Sequence, residues 1–133
     1  MYPYICPFFG MPLTPYVQDM LMRATYSITI NVGARTLTLF KNGKWFKSYP
    51  VGVGKPATPT PKGTFTIINK AYKPGGPFGE RWLGLNKKGY GIHGTNNPSS
   101  IGKAVSNGCV RMYNKDVIEL YNLVSVGTTV KII

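Results

Sequence analysis

Residues 26–53 read YSITINVGARTLTLFKNGKWFKSYPVGV, and this stretch decides the fold. Tyr26, Ile28, Ile30 and Val32 alternate with Ser27, Thr29 and Asn31. A period of two is the mark of a strand with one buried face. Leu37 and Leu39 continue the alternation. Asn42-Gly43 then offers two residues tolerant of positive φ, as a type I′ hairpin turn requires, so Trp45 to Val53 is expected to be the return strand.

Downstream, Pro56, Pro59, Pro61 and Gly63 interrupt the pattern and predict an extended loop. Thr64 to Ile68 reads as a further strand, Lys73 to Gly79 as a Gly/Pro-rich loop, and Trp82-Leu83 and Gly91-Ile92 as short apolar pieces. The best helix candidate begins at Asn114, which is expected to cap it, with Asp116 in the first turn. Val117, Ile118, Leu120, Tyr121 and Val124 give that helix a broad apolar face, Gly127 is placed to end the segment, and Thr129 to Ile133 reads as a last strand. These elements predict a mainly β domain, sandwich or barrel-like, with one packed C-terminal helix.

Upstream, residues 1–24 hold Pro3, Pro7, Pro12 and Pro15 and carry no apolar period. They read as a Pro-rich arm or linker, and residues 25–133 as the folded domain. Neither the basic start nor the apolar run of a secretory signal is visible. Cys6 sits among prolines without a charged neighbour and is given no chemistry.

At 133 residues, 14.6 kDa and 43% hydrophobic, the chain is long and apolar enough for one domain with a real core. No stretch approaches the roughly 18–20 apolar residues that cross a bilayer, so a membrane-spanning helix is not expected. Sixteen Lys and Arg against four acids give a formal charge of +12, which suits a polyanionic neighbour: nucleic acid, anionic lipid or an anionic cell wall. The lysines are scattered, with no basic run and no helix-turn-helix or RNP-type motif, so no nucleic acid partner is expected. One His and two distant Cys are too few for a metal site, and no phosphate-binding glycine loop occurs, so no metal and no cofactor are expected.

The chemistry concentrates in Gly91-Ile92-His93-Gly94-Thr95 and in Ser106-Asn107-Gly108-Cys109-Val110-Arg111, which begins thirteen residues after His93. A nucleophilic thiol needs a base active near neutral pH, and His93 is the chain's one imidazole. Gly108 lets the backbone turn sharply enough to aim amide N–H groups at a carbonyl oxygen. Arg111 can hold a substrate carboxylate in bidentate fashion. A lone His and Cys are more often a hydrogen-bonded histidine and an inert thiol. Here both lie beside glycines and outside the alternating segments, where loops present functional groups. Tyr90 and Trp82 are groove candidates and equally core or rim aromatics; Ser106 fits either a thiol contact or a turn. Asp116 and Glu119 read as helix cap and surface charges.

Taken together, Ile92 to Asn96 and Ser106 to Met112 resemble the signature of the L,D-transpeptidase catalytic domain (YkuD-type). Val51-Gly52-Val53-Gly54 and Thr60-Pro61-Lys62-Gly63-Thr64-Phe65 resemble the family's upstream run, and the resemblance covers about residues 25–133. It implies a peptidoglycan enzyme that attacks the bond between the L-centred third residue of a stem peptide and D-alanine. The implied route runs through a cysteine thioester to a 3→3 cross-link. Cys109 is then the nucleophile and His93 its base. Gly94 holds the imidazole tautomer, Gly108, Asn107 and Cys109 surround the oxyanion, and Arg111, Ser106, Thr95, Tyr90 and Trp82 contact substrate. Peptidoglycan stem peptides are the implied partners, carbapenem-type β-lactams the implied inhibitors, and an extracytoplasmic, wall-associated location follows from the substrate. One position departs from the family's Ser-His-Gly-Cys, which here carries Asn107; an amide donates and accepts as a neutral imidazole does, but cannot titrate. Two alternatives stay open: an L,D-carboxypeptidase with water as acceptor, and a non-catalytic wall-binding module.

Overall fold

The computed structural model describes residues 25–133; the proposed arm at 1–24, with Cys6, lies outside the described residues. Nine strands and one helix follow one another: β1 (Tyr26–Asn31), β2 (Thr36–Lys41), β3 (Lys44–Gly54), β4 (Gly63–Tyr72), β5 (Arg81–Leu85), β6 (Gly91–His93), β7 (Ala104–Ser106), β8 (Val110–Met112), α1 (Asn114–Leu123) and β9 (Thr129–Ile132). They form one sheet ordered β2-β1-β9-β4-β5-β6-β8-β3-β7. An added β2–β3 pairing closes the ring, with β7 appended to β3. Over the described residues the architecture is therefore mainly β and barrel-like with one helix, as the alternation predicts.

The first hairpin follows its sequence closely. Ile28 and Ile30 on β1 face Leu39 and Leu37 on β2, and all four are essentially inaccessible. Burying each such side chain is worth about 1.5–3 kcal/mol, which pins the register, because a slip of one residue would turn all four outward. Asn42 (φ 54) and Gly43 (φ 82) both take positive φ between β2 and β3, as the turn requires. Val130 and Ile132 of β9 join the core from a parallel pairing with β1.

The helix departs from expectation at its start. Asn114 is its first residue, Tyr113 precedes it, and neither caps it through a side chain. The Asn114 amide instead reaches out to Glu80 and Thr95. Val117, Leu120 and Val124 pack on the core, with Ile118 and Tyr121 half-buried. The helix stops at Leu123, ahead of Gly127, and Lys70 Nζ closes its end by donating to the Tyr121 (2.6 Å) and Val124 (2.8 Å) carbonyls. Glu119 is more than a surface charge: it accepts from Tyr49 Oη (2.5 Å) and Lys47 Nζ (2.7 Å), tying α1 to β3. Among the described residues no helix is long and apolar enough to cross a membrane.

Candidate active site

Three adjacent strands carry the site. Trp82 of β5 is in register with His93 of β6, and His93 with Arg111 of β8. Registered residues share a face of a sheet, so these three form one row. Their neighbours Leu83, Ile92 and Val110 point the other way, into the core. Cys109 lies two residues before Arg111, in the turn just ahead of β8. His93 is thus a strand residue rather than the loop residue its glycine neighbours suggested. Three-residue strands leave too short a pattern to read.

The imidazole is 3% exposed and walled by aromatic rings. Trp82 stacks on it, with centroids 5.6 Å apart at 13°, and Phe78 meets it edge-on at 5.2 Å and 83°. Nδ1 lies 2.5 Å from the Gly94 carbonyl oxygen. A carbonyl only accepts, so Nδ1 carries the proton and Nε2 keeps the lone pair. Burial holds the His93 pKa below its ordinary value; the bond to Gly94 works upward and the Arg111 charge downward.

Cys109 is half-buried. Its thiol donates to the Gly89 carbonyl at 3.5 Å. Burial pushes its pKa up, while a backbone bond to Gly91 and the Arg111 charge pull it down. The hydrogen bonds of thiol and imidazole thus run to backbone groups rather than to each other.

The turn before Cys109 is built by Ser106, which is 1% exposed. Its Oγ donates to the Cys109 carbonyl (2.7 Å) and accepts from the Gly108 amide (3.0 Å). Ser106, expected to contact either substrate or a turn, holds the turn. The Gly108 amide, expected near the oxyanion, is already spent on Ser106. Gly108 itself sits at φ 117 with the Tyr90 ring against it, so a β-carbon there would meet both strain and collision. Asn107, between them, is exposed.

The remaining expected residues divide. Thr95 is 3% exposed, with its amide, carbonyl and hydroxyl all engaged by Asn114 and Asn97. Arg111 is half-buried beside His93. Trp82 and Tyr90 line a cavity of about 420 Å³, together with Asn69, Asn86, Lys88 and Gly89. That cavity abuts the site, because Trp82 touches His93, Gly89 accepts from the thiol and Tyr90 covers Gly108. The sequence reading missed Phe78 and Asn114. The Gly/Pro-rich composition of residues 73–79 gives no sign of the part Phe78 plays, and the place of Asn114 at a helix start points to a cap. Among the described residues no group of three or more His, Cys, Asp or Glu is placed to hold a metal ion.

The fold and site together define a mainly β, barrel-like domain that carries a ring-walled imidazole on β6 and a half-buried thiol just ahead of the neighbouring parallel strand β8. The chain belongs to the L,D-transpeptidase catalytic-domain family, whose family model matches residues 25–132. It is 61% identical over 107 residues to a Bacillus subtilis protein named as the L,D-transpeptidase YkuD, covering 80% of this chain and 65% of that protein. It therefore spans just under two thirds of that relative's length. The solution structure of the catalytic domain of the Enterococcus faecium L,D-transpeptidase superposes with a TM-score of 0.71 at 27% identity, covering 81% of this chain and 96% of that one. A structure of an LD transpeptidase in complex with imipenem has a TM-score of 0.72 at 21% identity, over 83% of this chain and 59% of that one, a likeness of fold alone.

Proposed function

We propose that this domain is a cysteine-dependent L,D-transpeptidase that cross-links peptidoglycan stem peptides outside the cytoplasmic membrane. The observation that carries the reading is the His93 tautomer, fixed through Nδ1 so that Nε2 is left as a base on β6, next to the strand that Cys109 immediately precedes.

His93 Nε2 takes the thiol proton as sulfur attacks the carbonyl carbon of the third stem residue. The carbonyl electron pair moves to oxygen. Among the described loop and side-chain contacts the Cys109 N–H has no acceptor, so it, rather than the Gly108 amide, is the donor for that oxyanion. Collapse breaks the bond to D-alanine, whose amine leaves with the proton from His93. The amine of a second stem then attacks the thioester and gives up its proton to His93. Sulfur departs, is reprotonated, and a 3→3 link remains. Arg111 holds a stem carboxylate, and Trp82 and Tyr90 form the groove wall. A carbapenem enters the same chemistry as an acyl donor without a small leaving amine, and stays on the sulfur.

The test is incubation with a disaccharide tetrapeptide followed by mass analysis of products. Released D-alanine with dimeric muropeptide is the expected result, and both disappear in Cys109→Ala. D-alanine release without dimers would assign a carboxypeptidase instead, and no release would contradict the enzymatic reading.

A further inference from the structure

The Asn114 side chain makes three hydrogen bonds at once. Its Oδ1 accepts from the amides of Glu80 (3.1 Å) and Thr95 (3.2 Å), and its Nδ2 donates to the Thr95 carbonyl (3.0 Å). Two glycines make room for it. A β-carbon on Gly79 or on Gly94 would collide with Asn114 Oδ1.

The Thr95 amide and the Gly94 carbonyl belong to one peptide unit. Its N–H end is held by Asn114 and its oxygen accepts from His93 Nδ1. A planar peptide cannot turn one end without the other. An acceptor on the N–H also makes the carbonyl a stronger acceptor. The bond to Glu80 anchors the far end of the loop that carries Phe78 against the imidazole.

From this we infer that Asn114 is a positioning residue for the base: through the Gly94–Thr95 peptide it fixes which imidazole nitrogen holds the proton, and through Glu80 it holds the aromatic wall beside it. The inference rests on the transpeptidase reading for its catalytic consequence, but the tautomer itself is a property of the resting protein.

His93 is the chain's one histidine, so its two ring nitrogens can be read by 15N NMR without assignment. In Asn114→Ala, water can enter and satisfy the freed amides. The variant is expected to fold, to show a mixture of the two neutral tautomers, and to acylate at least about tenfold more slowly with KM changed less than about twofold. Asn114→Asp retains the acceptor oxygen. It is expected to keep the proton on Nδ1, to move the His93 titration upward, and to restore acylation to within about threefold of the parent. A folded Asn114→Ala protein with the parent tautomer and parent rate would overturn the inference. Should Asn114→Ala not fold, an Asn114→Asp protein whose His93 titrates as in the parent would overturn it. Loss of acylation in the parent protein would instead strike the transpeptidase reading and leave the tautomer result standing.

Discussion

Trp82 and His93, partners in adjacent antiparallel strands, lie nearly parallel, their ring centroids 5.6 Å apart and their planes 13° from each other. The indole is the imidazole's roof, and Trp82 Nε1 is itself anchored by Asn69 Oδ1 at 3.1 Å. Burial is the largest influence on His93, and it lowers the pKa by disfavouring the charged ring. Trp82→Ala readmits water, so the His93 titration should move up toward the ordinary histidine value. At neutral pH more of the base is then protonated and acylation slows. An NMR titration of the single imidazole checks this; a midpoint that stays put would show that the stacked ring does not shield it.

Arg111 lowers both the thiol and the imidazole pKa, since a nearby positive charge favours thiolate and disfavours imidazolium. Removing it in Arg111→Ala should therefore move both upward. The rate of Cys109 alkylation by iodoacetamide, followed against pH, should rise with a midpoint above the ordinary thiol value in the parent. In the variant that midpoint should be higher still, and the rate at pH 7 lower by about threefold or more. A downward shift would place the guanidinium elsewhere than beside the sulfur.

Ser106 joins both ends of the turn that presents Cys109. Ser106→Ala leaves the buried Gly108 amide without an acceptor, at a cost of about 1–3 kcal/mol. Denaturant unfolding should show that loss. A variant as stable as its parent would mean that water replaces the hydroxyl at no cost.

Much of this fold is legible in the chain, and the illegible parts share a cause. Ile28, Ile30, Leu37 and Leu39 announce their strands because one face is buried and the other is wet. Asn42-Gly43 announces its turn because both positions need positive φ. Strands β6 and β8, with three residues each, are too short to express a period, and the β3–β8 and β1–β9 pairings that complete the ring join segments far apart in the chain, where no local pattern reaches. His93 and Cys109 are recognisable through their signature. Asn114 was not recognised in this role, because an amide that binds backbone 19 and 34 residues away leaves no local pattern; the nearby signal was the pair of glycines, Gly79 and Gly94, that give it space. Gly108 was rightly singled out as a turn residue, but its amide had already been claimed by a serine whose partner no spacing reveals.

Asn107 occupies the position where the family pattern carries histidine, and it is exposed. Exposed substitutions away from packing contacts usually alter stability by less than about 0.5 kcal/mol. Asn107→His should therefore keep the parent melting temperature while leaving acylation equal or faster. A fall in both would show that the Asn107 side chain supports the turn.

The central claim is that Cys109 carries the acyl group. Intact-protein mass spectrometry after brief incubation with a stem tetrapeptide tests it most directly. A mass increase equal to the tetrapeptide less D-alanine, mapped to Cys109 and absent from Cys109→Ala, is the predicted result. Turnover with no adduct on Cys109, or an adduct that persists in Cys109→Ala, would contradict the account.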